Sequence, residues 1–121
     1  MNDESMTLIE EEVLRWPGTT SETGRFNAVF FRYGKRTIGH IHRDGMADLP
    51  VTKEMREGLL SEGRARQHRA GSKGYVSYPI EEREDVSAVL EILGSNYARA
   101  REAAEGVAER RAASRGEEDE T

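Results

Sequence analysis

The stretch that decides the fold runs from Phe26 to His42 and reads FNAVFFRYGKRTIGHIH. Its first part, Phe26–Tyr33, is dense in the aromatic and β-branched residues that favour β-strands. A second run, Arg36–His42, follows Gly34-Lys35, and glycine at the first central position of a two-residue loop is typical of a type II′ hairpin turn. We therefore expect an antiparallel hairpin. The predicted register pairs Tyr33 with Arg36, Phe31 with Ile38, Val29 with His40, and Asn27 with His42.

In this register both faces of the hairpin carry apolar side chains. Phe30 and Ile41 fall on one face, and Phe31 and Ile38 fall on the other. A sheet with helices on one side needs only one apolar face. The second face therefore predicts a cover, which could be a partner subunit, a helix or a ligand, and we expect a homodimer.

The segments around the hairpin complete an α+β pattern. Helical periodicity and capping residues predict three helices: Thr7–Trp16 after Ser5, Lys53–Glu62 after Thr52, and a last helix that begins at Asp85. Three further strands are predicted at Met46–Val51, Ala65–Arg69 and Tyr75–Ile80, and Thr19–Gly24 is interpreted as a loop. The predicted order is α–β–β–β–α–β–β–α, with one antiparallel sheet and its helices packed on one face.

Length and composition indicate one small domain. Residues 1–106 carry the periodic segments, whereas residues 107–121 are a charged stretch almost without apolar anchors, which predicts a disordered C-terminal tail. The 121 residues include no cysteine, which excludes disulfides and thiol nucleophiles. The net charge is −5, the start is polar and acidic, and no apolar run approaches the ~20 residues of a membrane helix. We expect a soluble cytoplasmic protein with no membrane partner.

Histidine and aspartate residues gather just after the hairpin turn. His40 and His42 are two residues apart on a predicted strand, so they share a face, and Asp44 and Asp48 follow closely. With His68 from another strand, these side chains could form a metal site, with His40, His42, His68 and Asp48 as the candidate ligands. The alternative is that the histidines hydrogen-bond Asp44, Asp48 or the backbone and hold the turn. The sequence itself requires no cofactor.

A second cluster is cationic. Arg64, Arg66, Arg69 and Lys73 lie within ten residues of one another and could bind a small anion. With Tyr75 and Tyr78 as stacking platforms the same cluster could bind nucleic acid, which the acidic net charge makes a lesser alternative. The remaining alternative is a charged edge strand, where such residues prevent aggregation.

The run Gly39–Pro50, GHIHRDGMADLP, resembles the core motif of the uncharacterised "luciferase domain" family of prokaryotes and fungi. Segments further along also resemble that family, and the similarity spans about residues 7–101. The element order is similar to that of MmcQ/YjbR-like proteins, whose last helix carries a Ser–Tyr pair; here Asn96 is inserted between Ser95 and Tyr97. Both resemblances imply the same α+β fold, and neither implies a settled reaction.

Three functional classes follow from these patterns. The first is a non-catalytic binding or interaction domain, as a homodimer. The second is a small metal- or anion-dependent enzyme centred on the histidine cluster, and the third is a nucleic-acid-binding domain. Whether the three histidines converge on one pocket distinguishes the first two classes.

Overall fold

The fold was analysed in a computed structural model, which describes residues 3–68 and 70–119. Within those ranges there are three helices, six strands and a short 3-10 turn at Arg25–Asn27, so the predicted α+β class is confirmed. The helices are α1 (Asp3–Leu14), α2 (Lys53–Ser61) and α3 (Arg83–Asp119). The strands are β1 (Thr19–Thr23), β2 (Val29–Tyr33), β3 (Arg36–Ile41), β4 (Met46–Pro50), β5 (Arg66–Gln67) and β6 (Tyr75–Pro79).

The strands form one antiparallel sheet in the order β1-β2-β3-β4-β6-β5. Strand β1 corrects the sequence analysis, which interpreted Thr19–Gly24 as a loop. Threonine is enriched in strands, but the segment TTSET has no apolar residue that would mark a buried face; it nevertheless pairs along its whole length with β2. An edge strand needs only one partner, so pairing with β2 decided its conformation where its composition did not.

The hairpin at Gly34-Lys35 is confirmed, but its predicted register is wrong beyond the turn. Tyr33 pairs with Arg36 as expected, and the register then shifts between Phe31 and Arg32. Phe31 consequently pairs with Gly39 instead of Ile38, and Phe30 pairs with His40. Asn27 lies in the 3-10 turn and does not pair with His42.

This β-bulge has a packing reason. Ile38 and Ile41 are three residues apart, so a regular strand would point them to opposite faces. The bulge lets both side chains enter the core, where they are 1% and 0% exposed. Phe31 is also fully buried by the chain itself. The premise that Phe31 and Ile38 need an outside cover is therefore wrong, and the homodimer stays a prediction without that support.

Helix α3 packs closely against the sheet and fixes which face is the core. A Cβ atom at Gly39 would lie 2.6 Å from Leu93 Cδ2, so glycine is what allows α3 to approach β3. The buried Asn96 side chain donates to the carbonyls of Ile38 at 2.9 Å and Pro50 at 2.7 Å, which ties α3 to β3 and β4. The Asn inserted in the Ser–Tyr pair thus has a clear structural role.

The helix ends show which capping predictions hold. Thr52 Oγ1 accepts a hydrogen bond from the Met55 N–H at 3.2 Å, as expected for the cap of α2. Asp85 accepts from the backbone of Glu81 and Glu82, but α3 already begins at Arg83. Helix α1 begins and ends earlier than predicted.

The last helix extends well beyond the sheet. It continues to Asp119, over most of the segment that the sequence assigns to a disordered tail, and residues 108–113 are exposed. The division of the chain at Gly106 stays a prediction, to be tested by truncation. Among the described residues, no helix combines the length and the apolar character that crossing a membrane demands.

Candidate metal and ligand site

A row of side chains crosses the sheet on the face that carries no helix. Phe30 pairs with His40, His40 with Asp48, and Asp48 with Ser77. Residues directly opposite each other on neighbouring strands point to the same face. Gly39 faces α3 on the other side, so these four residues project away from the helices. The bulge is essential here, because it places His40 on the face of Phe30.

The three histidines converge on one carboxylate oxygen. Nε2 of His42 lies 2.8 Å from Asp48 Oδ2, Nε2 of His40 lies 3.1 Å from it, and Nε2 of His68 lies 3.6 Å from it. The other oxygen, Oδ1, accepts a hydrogen bond from Ser77 Oγ at 2.7 Å. Asp48 is therefore the centre of the cluster, and the convergence that the sequence left open is present.

Asp48 is an ionised carboxylate in a buried position, with only 3% of its surface exposed. Burial by itself would raise its pKa. The hydrogen bonds from His40, Ser77 and His42 outweigh that effect and hold the pKa of Asp48 well below its ordinary value. The carboxylate consequently keeps its negative charge at neutral pH and attracts cations to this point.

Asp44 lies near the cluster but has a different role. Its Oδ1 accepts a hydrogen bond from the Met46 N–H at 3.0 Å, and the backbones of His42, Gly45 and Met46 close the same turn. The side chains of His40 and His42 contact Asp48 and take no part in these turn bonds. Holding the turn is thus the role of Asp44 and the backbone.

Aromatic neighbours fix the orientation of the imidazoles. The ring of His40 stacks on Phe30 with centroids 4.5 Å apart and an interplanar angle of 28°. Tyr75 lies 5.4 Å from the His68 ring and 6.4 Å from the His40 ring. Rings packed in this way lose rotational freedom in the folded protein, so the nitrogen atoms are held in place before any ligand arrives.

The cluster lies in the wall of an open cavity of about 630 Å³. The histidine side chains are 15–19% exposed, so each is accessible from the cavity side only in part. The rim carries two aromatic residues, Phe26 and Phe30, and two cationic ones, Arg25 and Arg43. A volume of this size suits one small organic molecule.

The donor atoms have the arrangement of a metal site. One ligand atom each from His40, His42 and Asp48 lie within 4.8 Å of one another, and His68 approaches the same oxygen. Ser77 donates a hydrogen bond to the carboxylate oxygen that does not contact the histidines. In metal sites, hydrogen bonds of this kind orient the carboxylates that bind the ion. One observation does not follow this pattern: among the described residues, Nδ1 of His40 and Nδ1 of His68 are buried without a hydrogen-bond partner, whereas the second nitrogen of a metal-bound imidazole usually donates to an acceptor.

The described members of the predicted cationic cluster, Arg64, Arg66 and Lys73, do not line this cavity. Arg64 bonds Glu62 at 3.2 Å and lines a separate cavity between α2 and α3. Arg66 pairs with Ser77 across β5 and β6, and Lys73 is exposed in the turn before β6. Arg69 lies outside the described residues. Anion binding by these residues stays a prediction.

Sequence reasoning missed five residues of this site: Arg25, Phe26, Phe30, Arg43 and Ser77. Ser77 becomes visible only once β4 and β6 are known to be neighbours, because its partner Asp48 is distant in sequence. The role of Phe30 depended on the bulge. Arg25 and Phe26 reach the cavity through the 3-10 turn, for which the sequence carried no clear signal.

The fold and the cluster define a small α+β domain with a histidine–aspartate site on the open face of its sheet. The family described as luciferase domain matches residues 35–96, slightly more than half of the chain, and the chain belongs to that family. The matched segment contains the three histidines, Asp48 and Ser77. No curated protein matches the chain, and no solved structure matches it. The likeness to MmcQ/YjbR-like proteins stays a prediction.

Proposed function

We propose that this domain is a small metal-dependent enzyme that holds one divalent transition-metal ion with His40, His42 and Asp48, with His68 beside these three ligands. The observation that carries the proposal is the approach of three imidazole Nε2 atoms to one carboxylate oxygen, all within 3.6 Å. Ligands of one small ion lie about this far from one another, since metal–ligand bonds to nitrogen and oxygen are about 2.0–2.2 Å long.

The donor set limits the choice of ion. Imidazole and carboxylate ligands suit zinc, iron and manganese, whereas the chain has no thiolate to select softer ions. Two histidines and one carboxylate on one face of a site leave further coordination positions open. Such an ion supplies Lewis acidity and lowers the pKa of a bound water, which is the chemistry that we assign to this centre.

The protein residues have defined tasks in this scheme. Ser77 holds Oδ1 of Asp48 and so presents Oδ2 to the histidines. Phe30 stacks on His40 and keeps its ring edge directed at the same point. His42 and His68 border the cavity, so an ion held by this cluster would be accessible to a small molecule that enters the cavity.

A binding domain without a metal is the second candidate, and one observation favours it. Distances of 2.8 Å and 3.1 Å are also those of direct hydrogen bonds between an imidazole N–H and a carboxylate. In that case the cluster is a rigid polar wall of a ligand site.

A homodimer and a cytoplasmic location remain predictions under either candidate, and sedimentation of the purified protein tests the homodimer. The nucleic-acid alternative has no comparable observation in its favour.

The test is metal analysis of tag-free protein and of His40→Ala and His42→Ala. We expect about one zinc, iron or manganese ion per chain, or micromolar binding of such an ion after chelation and reconstitution, and loss of that binding in both variants. The matched control is Asp44→Asn, which removes a negative charge from the same cavity without removing a ligand, and should keep the ion. Circular dichroism confirms that each variant is folded. Absence of binding by the parent protein would reject the metal centre in favour of the binding domain.

A further inference from the structure

The most unusual backbone in the described chain lies at the rim of the cavity. Phe26 has φ 57° and ψ 24°, and Asn27 next to it has φ 61°. A bulky side chain rarely adopts this left-handed conformation, in which the Cβ atom is crowded by the following carbonyl. Strain of this kind persists where the surrounding structure enforces it, and it is frequent at ligand clamps.

The turn that carries Phe26 is held firmly at its base. The Gly24 N–H donates to the Ala28 carbonyl at 2.9 Å, and the Ala28 N–H donates to the Arg25 carbonyl at 3.1 Å. The turn also rests on the ring of Phe30, since a Cβ atom at Gly24 would lie 2.6 Å from Phe30 Cε1. The Phe26 side chain is nevertheless 86% exposed, so its own packing does not repay the strain.

The rim adds positive charge to these two aromatic rings. Arg25 and Arg43 line the cavity. Neither forms an ion pair with another residue of the described ranges 3–68 and 70–119. The two acids of the cavity are already engaged, Asp48 by the histidines and Ser77, and Asp44 by the Met46 N–H. The guanidinium groups of Arg25 and Arg43 are thus available to the carboxylate of a ligand, in a cavity whose wall also holds the ionised Asp48.

We propose that the cavity binds a small planar organic anion, with the flat part of the ligand against the exposed ring of Phe26 and its carboxylate at Arg25 and Arg43. Phe26 is the clamp that covers the bound ring, which gives its exposure and its backbone strain a function. Guanidinium groups suit carboxylates because they donate in pairs, and aromatic rings favour flat partners. The proposal rests on the proposed function in that the same cavity borders the metal centre.

Binding of 2-naphthoate to the full chain, measured by calorimetry, tests this proposal. The two matched ligands are 2-naphthylmethanol, which has the ring without the charge, and cyclohexanecarboxylate, which has the charge without a flat ring. We expect 2-naphthoate to bind at least about tenfold more tightly than either one, because only it can both contact Phe26 with a flat ring and pair with the guanidinium groups. Equal binding of the three compounds, or no binding of any, would overturn the proposal.

Variants separate a clamp from a structural residue. Phe26→Gly should weaken 2-naphthoate binding about tenfold, while the melting temperature stays the same or rises, because glycine adopts positive φ without strain. Arg43→Ala should weaken binding by a similar factor, and Leu14→Ala, an exposed apolar position on α1, should leave it unchanged. Unchanged binding in Phe26→Gly with its fold intact would overturn the clamp.

The metal content of the same samples distinguishes a failure of the planar-anion proposal from a failure of the proposed metal centre. Phe26→Gly contains all the candidate metal ligands and should hold as much metal as the parent. Binding of 2-naphthoate by a protein that takes up no metal would support the cavity and reject the metal centre. Metal uptake without discrimination among the three compounds would support the metal centre and reject the planar anion.

Discussion

Replacing Asp48 by asparagine tests the electrostatic design of the site most directly. The amide has nearly the same shape as the carboxylate, so Ser77 can still donate to Oδ1 while the NH₂ group faces the imidazoles. What is lost is the negative charge and an acceptor that lies 2.8 Å from His42 and 3.1 Å from His40. No cavity is created, so the result reports on charge and hydrogen bonding alone.

The expected magnitude follows from these contacts. A hydrogen bond to a charged group contributes about 1.5–3 kcal/mol, and the two closest histidine contacts depend on the same oxygen, so their contributions overlap. We expect Asp48→Asn to lower the free energy of unfolding at pH 7 by about 2–4 kcal/mol. Urea denaturation followed by circular dichroism measures the change, with Asp44→Asn as the control that should lose much less.

The stability difference between the parent and Asp48→Asn should also depend on pH. The folded-state pKa of Asp48 lies below its ordinary value, so its ionisation stabilises the fold fully above about pH 4 and progressively less as the pH falls below that. The gap between parent and Asp48→Asn should therefore narrow below about pH 4. A variant as stable as the parent at pH 7, or a gap that stays constant into acid, would refute the reasoning.

Three further predictions concern the scaffold. Gly39→Ala should lower the free energy of unfolding by roughly 1–2 kcal/mol, because the new Cβ would lie 2.6 Å from Leu93 Cδ2. Gly58→Ala on α2, where nothing lies within 4 Å of the new Cβ, should raise it by up to about 1 kcal/mol. Equal effects of the two variants in urea denaturation would contradict this prediction. Asn96→Ala should lower the free energy of unfolding by about 1–3 kcal/mol, because two carbonyl groups lose their hydrogen-bond donor. A change below about 0.5 kcal/mol in the same measurement would show that water replaces the amide. Deleting residues 107–121 should shift the melting temperature only slightly, whereas a loss of several degrees would mean that this segment is part of the folded unit.

Much of the fold could be predicted because it is encoded by short-range patterns. The hairpin turn at Gly34-Lys35, the Thr52 cap of α2 and the helical periodicity of α3 each depend on residues that lie close together in the sequence. Strand β1 could not be predicted in the same way, because its Thr-rich sequence becomes a strand only by pairing with β2.

The site was predictable in its composition and only in part in its geometry. His40 and Asp48 lie on the neighbouring strands β3 and β4, and His42 lies in the turn that joins them, so proximity in sequence indicated proximity in space. His68 comes from a segment after the two-residue strand β5, and the sequence could not place that strand. The predicted register is wrong because Ile38 and Ile41 both pack into the core, which requires the bulge in β3. A register counted from the turn alone does not include such a bulge.

The position of His40, His42 and Asp48 on one hairpin also bears on the order in which the molecule assembles. The loop between β3 and β4 is short, and loops of about ten residues close in about 10–100 ns. These three side chains can therefore meet as soon as that hairpin forms, without waiting for the distant ends of the chain. Ser77 lies on β6 and His68 follows β5, and because these strands pair with partners distant in sequence, we expect them to join later. An ion captured by the early hairpin would act as a nucleus around which the second half of the sheet docks.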